Sequence, residues 1–321
     1  MILGPRKRWV MALAPVIGVA MGLSASGRQA KADDPDKAAF NERCATRLSI
    51  SILGTSPTAD MLAAADPQSL VDGMLTNPTF YERFATFLNS QWNRDPGQTQ
   101  ELDSAYYLSK YVLTNGKPWS DVFLGQYKVD LDTTGKTVQV TDDPEGLGYF
   151  RSPPWLKRYA GNEPAGIKIS TAYRIMQNTI GLTLVASTNA PGADISATGR
   201  QAAPCNSCHF DNWYALDKVA GILSKKITNP DKTVSFQPYT GGPQQILGGV
   251  SVADDKELVQ ALVKSENYPF NTCRLAFQFL YGRAENQCEG AVFDQCVTQF
   301  KAQGTIQSAL SVVAKDPGYC Q

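Results

Sequence analysis

Apolar positions recur every three or four residues through most of the chain and every second residue in one short stretch. That pattern predicts a mainly α protein with one small β-hairpin. From Lys37 to about Lys128 the apolar stripe runs through Met61 and Leu62, then Leu70, Val71 and Met74, then Phe80, Phe84 and Phe87. Pro57 and Pro78 stand where helices start. Tyr127 to Val140 alternates apolar and polar residues on both sides of Thr133-Thr134-Gly135-Lys136, which reads as two strands and a turn. Helical spacing returns from Gly166 to Ala186, and an apolar stretch covers Tyr214 to Leu223. Asn229 to Val250 reads as a turn-rich connector. Three closing helices are predicted over Phe270 to Tyr281, Ala291 to Gln303 and Ile306 to Ala314, the first two stopped by Gly282 and Gly304. The pattern divides the chain into a helical domain at 33–128, a hairpin and linker at 129–165, a middle region at 166–250 and a helical domain at 251–321.

The second closing helix carries Val292, Phe293, Cys296, Val297 and Phe300 on one stripe, so Cys296 is expected to face a core. If this helix and the next pack antiparallel about Gly304, Cys288 and Cys320 stand equally far from the turn and meet. A Cys288 to Cys320 disulfide is therefore predicted. Cys288 with Cys296 is disfavoured, because eight helical positions span about 12 Å and a disulfide needs Cα atoms within about 7 Å.

The first 32 residues read as a secretory leader. Arg6, Lys7 and Arg8 precede an apolar run from Trp9 to Ala25, and Ala30-Lys31-Ala32 supplies a small-x-small cleavage site before Asp33. Removing that leader takes away five basic residues and no acidic one, leaving 25 Lys and Arg against 30 Asp and Glu, a formal charge of −5. An acidic balance without a basic run argues against nucleic acid as a partner. No run of about 20 apolar residues follows the leader, so no integral membrane segment is expected after cleavage. The expected location is the periplasm, where cysteines pair oxidatively.

Cys205-Asn206-Ser207-Cys208-His209 carries the most specific chemistry. C-x-x-C-H is the pattern by which an exported polypeptide holds a haem through two thioether bonds, with the imidazole ligating the iron. His209 is the only histidine among the 321 residues. The competing readings are a reversible C-x-x-C disulfide, which would open a helix after a βαβ strand, and a structural zinc, which needs further ligands from the other five cysteines. The segment from Ala190 to Pro204 is turn-like, and those five cysteines form no second C-x-x-C pair. The expected cofactor is one covalent haem c, held by Cys205 and Cys208 with His209 as proximal ligand.

Most of the chain after the leader resembles the planctomycete-type cytochrome c proteins, exported bacterial proteins assembled from domains of unknown function. The likeness begins with Arg47-Leu48, Leu53-Gly54-Thr55-Ser56-Pro57-Thr58, Arg83-Phe84 and Lys117-Pro118-Trp119-Ser120-Asp121. It continues through Cys208-His209 with Ala215-Leu216-Asp217, and closes on Phe270 to Cys273, Leu280-Tyr281-Gly282-Arg283 and Ser308 to Pro317. Asp211-Asn212-Trp213-Tyr214 departs from the Asp-Pro-x-Gly turn usual there. The resemblance implies a helical protein with a cytochrome c-like haem region at 166–250, and no particular reaction.

The sixth iron ligand decides the chemistry. Beyond the leader the methionines are Met61, Met74 and Met176, all upstream of the motif. Met176, nearest in sequence and on a predicted helix, is the candidate ligand, weighed against a packed core methionine. Lys218, Tyr214 or an open position are the alternatives. Three roles follow: electron transfer with an unidentified redox protein, a haem enzyme or gas sensor with an open distal face, or a cell-envelope binding protein with a structural haem. Arg151, Arg158 and Arg174 could stabilise developing negative charge in the enzyme reading, weighed against propionate partners or solvated surface residues. Exposed Trp92, Trp119 and Trp155 would favour the binding role through carbohydrate stacking.

Overall fold

A computed structural model of the chain describes residues 35–93, 95–98, 103–132, 134–152, 155, 169–185, 192–231 and 234–321. The predicted leader lies outside the described residues, as does the part of the predicted hairpin and linker segment after residue 152, apart from Trp155. The architecture is mainly helical with three separate two-stranded antiparallel sheets.

Helix α1, Pro35–Leu48, runs on into a wider turn over Ser49–Leu53 that Gly54 ends with φ of 72°. Glycine suits that left-handed position best, and a Cβ there would also stand 2.6 Å from the Arg83 guanidinium, which would have to shift. Short helices α2, Ala59–Leu62, and α3, Val71–Leu75, lead to α4, Pro78–Trp92. The α4 start follows from its sequence, with Pro78 in the first turn and Asn77 accepting the Thr79 N–H. Phe80, Phe84 and Leu88 repeat every four residues and are fully buried. Helix α5, Ser104–Thr114, packs on α4, and α6, Asp121–Leu124, leads into the hairpin. That hairpin, β1 Tyr127–Leu131 with β2 Val138–Asp142, has the register Val129 opposite Val140.

Helix α7, Ile169–Ile180, packs against α8, Leu216–Gly221. The region expected to be a connector contains strands. β3, Lys225–Thr228, pairs with β4, Val234–Gln237, and β5, Gln244–Ile246, pairs with β6, Val250–Val252. Strands of three or four residues are too short to leave a periodic trace among the surrounding glycines and prolines. Helices α9, Asp255–Lys264, α10, Asn267–Tyr281, α11, Gly290–Gln303, and α12, Ile306–Lys315, close the chain. Gly282 and Gly304 end α10 and α11 in the left-handed conformation, where the sequence places their stops.

The first and last parts of the chain share one core. Phe84 of α4 meets Trp119 and Phe279 edge-on, with ring centroids 5.7 and 5.1 Å apart. The Gln68 amide donates to the carbonyls of Ala314 and Asp316. The predicted Cys288 to Cys320 disulfide is not formed: Cys44 bonds Cys320 with Cα atoms 4.9 Å apart, Cys273 bonds Cys296 at 6.0 Å, and Cys288 is an exposed free thiol. Antiparallel packing of α11 and α12 is insufficient, because Pro317 stops α12 and the following turn, Pro317–Cys320, folds against α1. Cys296 is buried as its stripe predicts, and the wall it meets is α10, which carries Cys273.

Asp72 of α3 links the two ends again, accepting hydrogen bonds from Lys315 Nζ (2.5 Å) and Ser311 Oγ (2.7 Å) of α12. The Lys315 hydrogen bond, followed by that of Ser311, holds the Asp72 carboxyl below its ordinary value. A carboxyl lowered on folding contributes stability above its unfolded pKa and loses it as pH falls through the folded value. Asp72→Asn should therefore cost below about 1 kcal/mol at neutral pH, since the pair is solvent-exposed. The difference from the parent protein in urea titrations should shrink as pH falls below 3.8.

Candidate functional site

Cys205 to His209 lies between a 3₁₀ turn, Gly199–Gln201, and the start of α8, and continues into a wide turn over Ser207–Asp211. The His209 N–H donates to the Cys205 carbonyl at 3.2 Å, an i to i−4 bond that winds the motif into one helical turn. Residues three apart then share a face, and Cys205 and Cys208 are both half-buried free thiols. Cys208 borders the core and accepts a hydrogen bond from the Tyr214 hydroxyl, 3.2 Å from its Sγ. That contact, and then burial, raises the Tyr214 pKa above its ordinary value. Ala215 next takes φ of 23°, rare for a residue with a Cβ, and turns the chain into α8.

Through that turn Asp217 reaches back to the motif. His209 Nδ1 stands 2.6 Å from Asp217 Oδ2, and the Asp217 residue is only 7% exposed. A carboxylate can only accept, so the proton of this bond belongs to Nδ1 and the Nε2 lone pair is left for coordination. Arg200 grips the same carboxylate, with Nη2 at 2.8 Å from Oδ1 and Nε at 3.1 Å from Oδ2. Its Nη1 donates to the Ile195 carbonyl. The guanidinium balances a charge that burial would otherwise make costly. A second buried pair holds the other end of α8: Asp255 accepts from Arg151 Nη2 at 2.6 Å and from Ser224 Oγ at 2.9 Å. The unit bearing Asp217 is thus fixed at both ends by Arg–Asp clamps.

The donor set suits a thioether-linked haem: two free thiols on one face, an adjacent imidazole with Nε2 as its coordinating nitrogen, and an apolar border. Five of the seven large exposed apolar side chains among the described residues (Val185, Ile195, Trp213, Ile227 and Val250) fall between 185 and 250. Among the described residues no three His, Cys, Asp or Glu side chains converge to hold a bare metal ion. Clefts of about 490 Å³ beside Arg83 and Phe279 and about 580 Å³ beside Asp121 and Asp143 contain no residue of the motif.

The other candidates scatter. Met176 is fully buried in α7, the helix packed on α8. Lys218 is half-buried. Arg174 bonds Gln177 and lies near the Tyr173 ring, and Arg151 is committed to Asp255. Arg158 lies outside the described residues. Trp119 and Trp155 are buried, and Trp92 packs against Phe123 and Tyr149, so none offers an open stacking face. Arg200 and the role of Asp217 escape sequence reasoning, because Arg200, His209 and Asp217 lie on three separate short elements, so no one period relates them.

No known protein family, curated protein or solved structure matches the chain. The likeness to planctomycete-type cytochromes rests on the quoted residues alone. Among the described residues no helix is long and apolar enough to cross a membrane.

Proposed function

We propose that the chain is an exported monohaem c-type cytochrome of the planctomycete type, working in the periplasm in electron transfer. The observation that carries this reading is the pair of free thiols, Cys205 and Cys208, beside an imidazole whose Nδ1 is already engaged by Asp217. The other cysteines, apart from exposed Cys288, are bonded to one another, as suits an oxidising compartment. Bound there, the haem supplies one-electron redox chemistry. Cys205 and Cys208 would hold it by thioether bonds, His209 would present Nε2 to the iron, and Tyr214 would stand beside the Cys208 attachment point. Met176 is the proposed sixth ligand, on the helix packed against α8.

The test is the optical spectrum of ferrous protein matured in a bacterial periplasm, before and after adding CO. A haem that survives denaturation, with a spectrum unmoved by CO, supports a closed electron carrier; absence of covalent haem overturns the reading. Met176→Ala should then let CO bind. Rapid CO binding by the unmodified protein would instead favour the open-site enzyme or sensor.

A further inference from the structure

Attachment of a haem needs Cys205, Cys208 and His209; it does not need a buried carboxylate behind the histidine. We propose that Asp217, clamped by Arg200, is a positioning residue that makes His209 a more strongly donating ligand and so lowers the reduction potential relative to the same site without the carboxylate, favouring the ferric state. This rests on the haem reading above. The Nδ1 to Oδ2 distance of 2.6 Å is that of a strong, charge-assisted hydrogen bond. Such a bond draws the Nδ1 proton toward the carboxylate and enriches the Nε2 lone pair. A richer nitrogen stabilises ferric iron, with its extra positive charge, over ferrous.

Burial leaves little water between the carboxylate and the imidazole, Asp217 being 7% exposed, while Arg200, 9% exposed, offsets part of the carboxylate's charge. The Arg200 fork occupies both carboxylate oxygens and prevents rotation, leaving Oδ2 aimed at the ring. A backbone carbonyl at the same place would offer a dipole where Asp217 offers a charge. The exchange balances as one electron accepted from a redox protein of lower potential and one passed to a partner of higher potential, with no proton or ligand leaving His209. The carboxylate thereby places the protein lower in an electron-transfer sequence than the same iron ligands would without it.

The experiment is potentiometric titration of the visible haem band in the periplasmically matured full chain. Asp217→Asn keeps the shape and removes the charge; it should shift the reduction equilibrium toward ferrous at least tenfold, which is 59 mV for one electron. Asp217→Glu restores a carboxylate and should stay closer to the parent protein than Asp217→Asn does. Asp255→Asn breaks the comparable Arg151 clamp at the far end of α8, and should lower the melting temperature while leaving the potential within twofold.

A haem-loaded Asp217→Asn protein with unchanged potential overturns the inference and leaves the haem reading standing, as does an equal shift from Asp255→Asn. An unmodified protein without covalent haem overturns both. If Asp217→Asn fails to mature, resonance Raman of the photolysed ferrous CO complex, formed with Met176→Ala where the parent iron is closed to CO, decides. An iron–histidine stretch above that of a ferrous haem with a neutral imidazole supports the inference, and an equal frequency overturns it.

Discussion

Replacing both Cys205 and Cys208 by Ala should abolish covalent haem, measured as loss of haem staining on a denaturing gel and of the alkaline pyridine spectrum. Each thiol supplies one thioether, so each single variant should keep one bond and mature with reduced yield. The double variant should also be less stable than the loaded protein, because a large apolar ligand that binds only the native state stabilises it by mass action. Neither substitution touches the two disulfides, which lie on α1, α10, α11 and the last turn. Peptide mapping of the double variant should therefore return Cys44 with Cys320 and Cys273 with Cys296. Haem that stayed with the double variant through denaturation would remove the central assignment.

Removing the Cys44 to Cys320 bond should give the largest loss of stability among the changes away from the motif. The two cysteines are 276 residues apart in sequence, so the bond restricts almost the whole unfolded chain. Chain entropy puts a 100-residue loop near 4.7 kcal/mol, and native disulfides cost about 2–5 kcal/mol to remove. Cys44→Ala with Cys320→Ala should fall toward the upper end of that range in denaturant titration. The Cys273 to Cys296 bond closes a separation of only 23 residues and should cost less, about 3 kcal/mol. Cys288→Ser, at an exposed free thiol, should change stability by less than about 0.5 kcal/mol. Loss of the Cys44 link without a change in midpoint would show that the ends are held by packing alone.

That packing is considerable, since the same two ends are joined by Gln68 to the α12 terminus and by Asp72 to Lys315 and Ser311. These contacts unite helices from the first and last thirds of the sequence around Phe84, Trp119 and Phe279. The site-bearing segment is then held against that frame by Arg151, Asp255 and Ser224. A rigid seat follows for α8, and Asp217 can keep one distance to His209.

Local chemistry made several elements legible without coordinates. Phe80, Phe84 and Leu88 follow the helical period because one face of α4 must leave water, and Gly282 and Gly304 end their helices because a left-handed residue is easiest without a Cβ. Val129 and Val140 alternate with polar neighbours because a strand has two faces. Cys205, Cys208 and His209 declare themselves because their spacing is a requirement of the chemistry and not of the fold. Pairing distant partners was beyond the sequence. Cys296 shows its buried face by its stripe, but its choice of Cys273 depends on how α10 crosses α11, and Cys320 reaches Cys44 only because the chain turns after Pro317. Arg200 and Asp217 likewise carry no periodic mark. Their meeting at His209 is set by the turn at Ala215 and by the packing of α8 on α7, since periodicity records which face of an element is buried while tertiary packing decides what that face meets.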